Sequence, residues 1–310
     1  MIKLFVPKLL YKLVLFAIAF TFSSSCAYLS PNSTDQLRIG TFNTENFDGL
    51  NAAKLEMISQ IVGRNFDVIG LQEISAIAAE KLQTKLNQGS GTWAYILGET
   101  GNKQRLALFY RTDLLEAQKV GEWRDVNVTG TLRSPLVTSL KTKGSGWDTT
   151  LVIVHQKGGF GQDADRLRQV QSDRLRQAVD AYQSSPQADP DLIILGDFNS
   201  PSWAEQNRGL RNAPLTFLTK PIETGAEANC LKKRGQPKFP DGRFRFSNRG
   251  TGCVIDHIAV SKLPKGAEEE YIAQTIQILS PQQDLGFAND KQFFADVSDH
   301  LPVRAVFRVK

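Results

Sequence analysis

Polar residues that can do chemistry lie at the ends of five apolar, strand-like stretches of this sequence. They are Asn43, Gln72 with Glu73, His155, Asp197 with Asn199, and Asp299 with His300. The first four groups follow an apolar stretch, and the last group precedes one. Polar groups repeated at one end of buried strands predict a common edge at which a site is built.

Glu73 and Asp299 indicate a site for a hard divalent cation. The chain contains 3 His residues and neither a CxxC nor an HExxH spacing, which argues against zinc. Carboxylate and amide oxygens suit Mg²⁺, Mn²⁺ or Ca²⁺. The alternative for Glu73 is an exposed surface carboxylate beside a helix N-cap.

Asp197 and Asn199 follow four apolar residues in LIILGDFNS, and those four residues predict a buried strand. Gly196 allows the backbone to pass close to another group. If the chain stays extended, the two polar side chains point to the same side. There the carboxylate can orient or deprotonate water, and the amide can donate to a phosphate oxygen. The alternative is a turn closed by Asp and Asn.

His300 is the candidate general base, since SDHLPV places it beside Asp299 and just before the last strand. Such a histidine needs a partner that sets its tautomer, and Asp256 in VIDHIAVS is the candidate. The alternative for Asp256 is an ion pair with an arginine. His257 points to the opposite side of the same strand, so we expect a structural role for it.

Strand and helix patterns alternate along the chain. Strand-like stretches occupy residues 37–42, 67–71, 106–110, 136–140, 150–154, 192–195, 254–260 and 303–309. Helical periodicity occupies residues 52–62, 74–86 and 164–182, and residues 90–103, 120–132 and 200–250 lack a clear period. The arginines of the last helix, Arg166, Arg168, Arg174 and Arg176, fit a solvated face. This order of elements predicts a layered α/β structure.

The first 26 residues predict an export signal. Three lysines precede the apolar segment 13–22, which is too short for a comfortable membrane span. Three serines then lead to Cys26, which resembles a bacterial lipoprotein cleavage site with Ser in place of the usual Leu three residues earlier, so Cys26 is a candidate for lipidation. The alternatives are plain cleavage near Ala27 or a retained anchor. Residues 27–36 are typical of a linker, and residues 37–310 form the predicted folded domain.

Charge and cysteine usage add two points. The formal net charge is +5, and removal of the three leader lysines leaves +2, so global charge does not indicate a nucleic-acid partner. Cys230 and Cys253 remain as a pair in an exported chain, which predicts a disulfide. The alternative is two buried thiols that pack as small hydrophobic residues.

The ordered set of short motifs resembles the endonuclease/exonuclease/phosphatase superfamily. In chain order they are TFNTEN around Asn43, DVIGLQE ending at Glu73, RSP at Arg133, VIVH at His155, GDFN at Asp197 and Asn199, VIDHI at Asp256, and SDHLP at Asp299 and His300. They span residues 37–310, and the resemblance implies that these residues form a catalytic domain. Each motif is weak alone, and the order of the whole set makes the resemblance specific.

Within that superfamily the sequence looks most like the deoxyribonuclease I branch. Arg133 followed by Pro135 resembles its phosphate-binding motif, and His155 matches its second active-site histidine. Gln104 stands where that branch has the glutamate that partners this histidine. Because a neutral amide cannot stabilise an imidazolium as a carboxylate does, phosphate binding by His155 is a safer expectation than proton donation.

The two cysteines fit the same branch only in part. Cys253 lies three residues before Asp256, as a disulfide cysteine does in that branch. Cys230 is displaced, because it is not near GDFN.

The resemblance implies a four-layer α/β/β/α sandwich, with two packed mixed β-sheets flanked by helices. It implies Mg²⁺, with Mn²⁺ or Ca²⁺ as alternatives, bound by Glu73 and Asp299 with Asn43 nearby. It also implies that Asp256 orients His300 and that Asp197, Asn199, Arg133 and His155 hold the attacking water and the phosphate. The reaction is then in-line attack of water on phosphorus.

Residues 231–250 form a basic segment with interleaved aromatics that precedes Asp256. Its basic residues are Lys232, Lys233, Arg234, Lys238, Arg243, Arg245 and Arg249, and its phenylalanines are Phe239, Phe244 and Phe246. Basic groups follow phosphates and aromatic rings stack on bases. The alternative is a solvated loop that its phenylalanines anchor to the core.

We therefore expect an exported, monomeric, metal-dependent phosphodiesterase that hydrolyses DNA or RNA. The alternative is a phosphoinositide or phospholipid phosphoesterase of the same fold, and the lack of an obvious apolar membrane-inserting hairpin counts against it. A non-catalytic binding module is the third hypothesis. The intact set of Glu73, Asp197, Asp256, Asp299 and His300 argues against that hypothesis.

Overall fold

The computed structural model describes residues 35–89, 91–186, 188–200, 210, 212–219, 238, 243–262 and 266–309. Within the chain, Thr34–Lys310 forms one compact unit. The predicted export signal, Cys26 and Cys230 lie outside the described residues. Lipidation and the disulfide therefore stay predictions, although Cys253 is buried.

Sheet A contains six strands and begins the fold. Its strands are β1 (Gln36–Phe47), β2 (Val68–Ile74), β3 (Trp93–Leu97), β4 (Arg105–Arg111), β11 (Gln277–Ile278) and β12 (Val303–Arg308). Their order across the sheet is β11-β12-β1-β2-β4-β3. The pair β1 and β2 is parallel, and the other neighbours are antiparallel.

Sheet B contains six strands of its own. They are β5 (Leu115–Glu122), β6 (Leu136–Thr142), β7 (Asp148–His155), β8 (Leu192–Asp197), β9 (Leu215–Phe217) and β10 (Asp256–Ser261), in the order β5-β6-β7-β8-β10-β9. Here β7 and β8 are the parallel pair. Both sheets are therefore mixed, with one parallel pair at the centre of each.

Five helices are described: α1 (Ala52–Asn65), α2 (Ala76–Leu86), α3 (Gln162–Gln183), α4 (Ala267–Glu270) and α5 (Asp290–Asp296). Three of them begin at a residue whose side chain satisfies a free backbone N–H, which stabilises the first turn. Asn51 accepts from Lys54, Ser75 from Ala78, and Asn289 from Gln292.

Alternation along the strands separates the core into layers. In β7, Leu151 and Ile153 join a cluster that contains residues of both sheets, whereas Val152 and Val154 join a cluster with Leu175 of α3. Successive strand side chains point to opposite faces, so one face of sheet B meets sheet A and the other meets α3. Helices α1 and α2 share a third cluster with sheet A. The predicted four-layer sandwich is confirmed.

Glycine allows the two sheets to come very close at one point. A Cβ atom on Gly70 of β2 would lie 2.4 Å from Leu195 Cδ1 of β8, which is closer than two carbon atoms can pack. The contact joins the two parallel strand pairs directly. It therefore holds the ends of β2 and β8, which carry Glu73 and Asp197, in a fixed relation.

Some sequence-based expectations were wrong. Residues 93–97 and 115–122 form β3 and β5, which the sequence analysis did not predict as strands. Both are edge strands, and an edge strand with one exposed face shows little apolar periodicity. The strand predicted for 254–260 begins only at Asp256. In the described part of the chain, no helix is both long enough and apolar enough to cross a bilayer.

Arg168 is a further correction, because it does not belong to a solvated face. Its side chain is 4% exposed, and Nη1 donates to the carbonyl oxygens of Lys157 and Gly159, each at 2.8 Å. A guanidinium can satisfy several carbonyls at once, so it replaces the backbone partners that this loop lacks. Arg166 of the same helix is exposed, as predicted.

Candidate active site

The predicted site residues meet where the two parallel strand pairs end. Asn43 and Glu73 lie at the ends of β1 and β2, and His155 and Asp197 are the last residues of β7 and β8. Parallel strands end at the same edge of a sheet, and the close contact at Gly70 aligns the two edges. The neighbouring antiparallel strand β10 begins at this edge with Asp256, which pairs with Asp197.

His300 links the carboxylates of Asp256 and Asp197. Its Nδ1 lies 2.9 Å from Asp256 Oδ2, and its Nε2 lies 3.7 Å from Asp197 Oδ2. Burial lowers the pKa of His300, but Asp256 and Asp197 act in the opposite direction and raise it to about 10. The ring therefore carries a proton in this arrangement. The role of His300 as a general base stays a prediction, and the two carboxylates favour the imidazolium.

Ser247 and Ser298 fix these groups in place. Ser247 Oγ donates to Asp256 Oδ2 at 2.6 Å and accepts from the backbone N–H groups of Ile255 and Asp256. Ser298 Oγ donates to the carbonyl of Asn43 at 2.7 Å and accepts from the N–H of His300 at 3.0 Å. The second link ties the loop before β12 to the end of β1.

His155 faces the same centre from β7. Its Nε2 lies 3.5 Å from Asp197 Oδ2 and 3.7 Å from Glu73 Oε1. Burial lowers the pKa of His155 well below its ordinary value, and Arg133 adds to the effect. The ring is therefore neutral, and its buried Nδ1 has no hydrogen-bond partner among the described residues. A neutral ring fits hydrogen bonding to phosphate, as the sequence predicts.

Two adjacent residues of β1 connect the predicted metal ligands. The N–H of Asn46 donates to Glu73 Oε2 at 2.9 Å, and the N–H of Asp299 donates to Glu45 Oε2 at 2.9 Å. Glu45, Glu73 and Asp299 also all act on the ammonium of Lys54, whose pKa burial lowers and these carboxylates raise. The predicted ligands thus lie on one acidic rim.

This rim suits a hard divalent cation by its donor set. It offers carboxylate oxygens from Glu73, Asp299 and Glu45, and burial together with Asp299 raises the pKa of Glu45. A second group, Asp197, Asp256 and His300, brings three ligand atoms within 4.8 Å of one another. Crowded carboxylates of this kind are stabilised when a cation is present.

Asn43 contacts the centre differently from the expectation of a simple metal ligand. Its Nδ2 donates to Asp197 Oδ2 at 2.9 Å, and its Oδ1 accepts from the N–H of Glu45 at 3.0 Å. The buried amide therefore orients Asp197 and shapes the Glu45 turn. Its Oδ1 retains a second lone pair for a ligand.

Arg133 reaches the site through Gln104. Arg133 Nη2 donates to Gln104 Oε1 and lies 4.0 Å from Glu73 Oε1, and Gln104 Nε2 lies 3.3 Å from Glu73 Oε2. No hydrogen bond between Gln104 and His155 is present in the described residues. Gln104 is thus a bridge between Arg133 and Glu73, and among the described residues His155 has no carboxylate or amide partner at this position.

Asn199 does not extend the strand beyond Asp197. Its φ is +50°, and its N–H donates to Asp197 Oδ1 at 2.7 Å, which forms a turn. Its Nδ2 donates to the carbonyl of Gln156 at 3.1 Å. Of the two interpretations of this motif, the turn closed by Asp197 and Asn199 is the one present, and the extended strand is not. Asn199 instead positions Asp197 and the loop after His155, with one amide hydrogen left for phosphate.

Backbone strain concentrates at this edge. Among the described non-glycine residues, six have positive φ, and four of them are site residues: Glu45, Asn46, Glu73 and Asn199. Such conformations are unfavourable and persist where surrounding contacts enforce them. Strain of this kind is typical of a functional site.

His257 is structural, as predicted. Its Nδ1 lies 2.7 Å from Thr219 Oγ1, and its ring makes edge contacts with Phe198 and Phe217. Burial lowers its pKa to about 4. The ring is neutral and belongs to the layer between sheet B and α3.

The described part of the basic segment is mostly engaged with the protein. Phe244 and Phe246 are buried in the core beside α1 and α2, so they cannot stack on bases. Lys238 pairs with Asp290, Arg243 with Asp284, and Arg249 lies over the ring of Phe294. For these residues the anchoring interpretation is right. Lys232, Lys233, Arg234 and Phe239 lie outside the described residues.

Several site residues escaped the sequence analysis. They are Glu45, Lys54, Ser247 and Asn248, and the last donates through Nδ2 to Asp299 Oδ2 at 3.1 Å. Glu45 lies inside the TFNTEN motif, so its position next to Asn43 could have identified it as a site residue. Lys54, Ser247 and Asn248 carry no local signal, because their role comes from partners distant in the chain.

The profile of the Endonuclease/Exonuclease/phosphatase family matches residues 40–300. The chain therefore belongs to the endonuclease/exonuclease/phosphatase family, whose members act on phosphoester bonds. No curated protein sequence matches the chain.

Solved structures similar to this chain have diverse activities. A mannosyl-6-phosphatase of Bacteroides thetaiotaomicron is 20% identical, with 87% of this chain and 98% of that chain covered and a TM-score of 0.58. D. rerio TDP2 complexed with single strand DNA product is 17% identical, with 88% and 99% covered and a TM-score of 0.56. The human Nocturnin catalytic domain with bound sulfate is 17% identical, with 89% and 94% covered and a TM-score of 0.56. At these identities the likeness shows the fold.

Proposed function

We propose that this chain is an exported, divalent-metal-dependent phosphodiesterase that hydrolyses nucleic acid. One observation carries the proposal: His300 is bonded to Asp256 at 2.9 Å while its Nε2 lies 3.7 Å from both Asp197 and Asp299. An imidazole that bridges a buried carboxylate pair and an acidic rim is suited to proton exchange with a water at phosphorus.

Glu73 and Asp299 would hold the cation, with Glu45 and Asn43 beside them. When bound, a divalent ion polarises the phosphate and lowers the pKa of water. The side chains of the protein supply the rest. Asp197 accepts hydrogen bonds from Asn43 and Asn199, which leave its carboxylate fixed towards both histidines.

The residues that bind the phosphate in this proposal are His155, Arg133 and Asn199. His155 contributes the Nε2 of a neutral ring, which lies between Asp197 and Glu73, and Arg133 contributes a guanidinium that Gln104 holds near Glu73. Together with His300 these groups surround the carboxylates with hydrogen-bond donors. Donors placed around the developing charge at phosphorus stabilise the transition state.

Phe160 supports nucleic acid as the substrate. Its side chain is 77% exposed, in a loop that follows His155 and that Arg168 clamps through Lys157 and Gly159. The same loop contacts Asn199, since Gln156 accepts its amide hydrogen bond. An exposed aromatic ring on a fixed loop beside a phosphate site is suited to stacking on a base.

Within the family we propose the deoxyribonuclease I branch, on the strength of the Arg133 and His155 motifs. The second candidate is a phosphomonoesterase or phosphoinositide phosphatase. It is favoured by the engaged basic residues Lys238, Arg243 and Arg249, which do not present a free basic surface, and by the similar fold of a mannosyl-6-phosphatase.

The proposal has four further parts: export, lipidation of Cys26, a disulfide between Cys230 and Cys253, and a monomeric state. They rest on the leader sequence and on compartment chemistry. Cell fractionation of wild type and Cys26→Ala tests the first two, since loss of the lipid releases the chain from membranes. Mass spectrometry of peptides without reductant tests the disulfide, and light scattering tests the oligomeric state.

A substrate panel tests the activity. Single- and double-stranded DNA, RNA, a phosphoinositide and a sugar phosphate are incubated with the enzyme and Mg²⁺, Mn²⁺ or Ca²⁺. Chelation with EDTA and the variant His300→Ala are the blanks. We expect cleavage of nucleic acid that both blanks abolish. Phosphate release from a monoester with nucleic acid intact would favour the second candidate, and inactivity on every substrate would sink both.

A further inference from the structure

An acidic cluster lies at the end of β7 and β8 opposite to the active site. Asp148 is the first residue of β7, Asp191 directly precedes β8, and Asp189 lies two residues earlier. A carboxylate oxygen from each lies within 4.8 Å of the others. Since β7 carries Asp148 at one end and His155 at the other, about 23 Å of extended strand separates the cluster from the active site.

Asp191 gives this cluster an unpaired, buried ligand. The residue is 9% exposed, and its Oδ1 has no hydrogen-bond partner among the described residues. Its backbone is held on both sides, because its carbonyl accepts from Thr149 Oγ1 at 2.7 Å and Thr150 N–H at 2.8 Å, while its N–H donates to Asp189 Oδ1 at 2.9 Å. These bonds fix the backbone of Asp191 beside Asp148 and Asp189, and a buried carboxylate oxygen without a partner is costly.

The charges around Asp191 are of one sign. Burial, together with the charges of Asp189, Asp148 and Glu269, raises its pKa to about 7, with no opposing cation from the described residues. Burial likewise raises the pKa of Glu270, on the nearby α4, to about 7, although a hydrogen bond from Trp147 Nε1 lowers it. A group of carboxylates without a basic partner is stabilised by a bound cation or by protons.

We propose that Asp148, Asp189 and Asp191 form a second divalent-cation site, of the Ca²⁺ class, separate from the active site. All three residues offer oxygen only, which favours a hard cation over zinc. Ca²⁺ binds oxygens at about 2.3–2.6 Å in flexible geometry, so ligands on opposite sides of the ion are about 4.8 Å apart. Asp148 is exposed and leaves room for waters to complete the shell. The bound ion joins the starts of both central strands of sheet B.

Calorimetric titration of the whole chain with Ca²⁺ tests the site. The variants are Asp148→Asn, which changes an exposed residue and so preserves the fold, and Asp173→Asn, a matched exposed acid on α3. We expect Asp148→Asn to lose one equivalent of Ca²⁺ or to bind it ~10-fold or more weakly, and Asp173→Asn to match wild type. Any equivalent that persists in Asp148→Asn belongs to the active site. Equal stoichiometry and affinity in all three proteins would overturn the proposal.

Terbium luminescence gives a second readout that does not involve activity. Trp147 is adjacent to Asp148, so tryptophan excitation should sensitise Tb³⁺ in this site. The signal should fall in Trp147→Phe and in Asp148→Asn, and Ca²⁺ should displace it. In Ca²⁺-free buffer, Asp191→Asn should raise the Tm by relieving repulsion and should abolish the Tm increase that Ca²⁺ causes in wild type. If Ca²⁺ leaves the Tm of the wild type unchanged and the Tm depends only on pH, protons and not a cation occupy the cluster, and the proposal is overturned.

Discussion

Asp197 and Asp256 face each other as paired residues of the antiparallel strands β8 and β10, and both are buried. Two buried carboxylates at adjacent positions repel each other, and each loses its hydration. His300 offsets this cost, because its ring is bonded to Asp256 and lies 3.7 Å from Asp197. The pairing of these three side chains is the structural basis of the proposed proton exchange.

Replacement of Asp256 by Asn tests the role of this pair. The shape of the site is kept, but His300 loses a charged partner, so its raised pKa should fall and its orientation should weaken. We expect kcat to fall by ~10²–10⁴-fold. Steady-state kinetics and an NMR titration of His300 measure both effects. Asp296→Asn, an exposed acid, is the control, and an unchanged kcat in Asp256→Asn would remove the pair from the mechanism.

Arg168 and Arg166 form a matched pair on one helix. Arg168→Ala leaves the carbonyls of Lys157 and Gly159 without donors, whereas Arg166 is exposed. We expect Arg168→Ala to lower the free energy of unfolding by about 2 kcal/mol or more and to reduce kcat/KM, since the loop beside His155 and Asn199 loosens. Urea unfolding and kinetics check this. If Arg166→Ala has the same effects, the loop clamp is not their cause.

Phe160→Ala separates nucleic-acid binding from chemistry. Loss of one stacking ring costs about 1–3 kcal/mol, so KM for single-stranded DNA should rise by ~5–160-fold. Hydrolysis of a small synthetic phosphodiester should not change, because that substrate has no base to stack. Ile77→Ala removes another exposed apolar side chain and serves as the control. A KM for DNA equal to that of wild type contradicts the stacking role.

His257 should make stability depend on pH. Burial lowers its pKa from the ordinary 6.5 to about 4, so the unfolded chain binds a proton in that interval while the folded chain does not. The contribution of neutral His257 to the free energy of unfolding is therefore complete above pH 6.5. It is lost as the pH falls towards 4, by about 3 kcal/mol in total. Unfolding of wild type and His257→Gln at several pH values measures the difference.

Other groups titrate in the same interval with the opposite sign. Burial raises the pKa of Asp197 to about 7, so its contribution to stability falls as the pH rises towards that value. Asp197 is present in both wild type and His257→Gln, so subtracting their free energies of unfolding at each pH cancels its contribution. Equal slopes for wild type and His257→Gln would contradict the prediction, as would a large loss of kcat at neutral pH.

Much of the fold was predictable from local pattern. The core strands β2, β4, β7 and β8 are buried apolar stretches with polar residues at their ends, and α1, α2 and α3 follow the helical period within a few residues. β3 and β5 were missed because edge strands and half-exposed strands gain their stability from neighbours instead of from their own composition. The 3.6-residue period likewise placed Arg168 on the polar side of α3 but could not show that the loop after His155 covers it.

The sequence by itself determined the chemistry: which strand ends carry carboxylates, imidazoles and amides, and in what order along the chain. Residue type sets protonation and ligand preference, and local hydrophobic period sets the strand, so both can be read without the fold. Only the tertiary structure decided the partners. Asp256 binds His300 across 44 residues and Asn43 binds Asp197 across 154, whereas Gln104 binds Glu73 and Arg133 instead of His155. Such contacts arise when two sheets pack face to face, and no spacing along the chain specifies them.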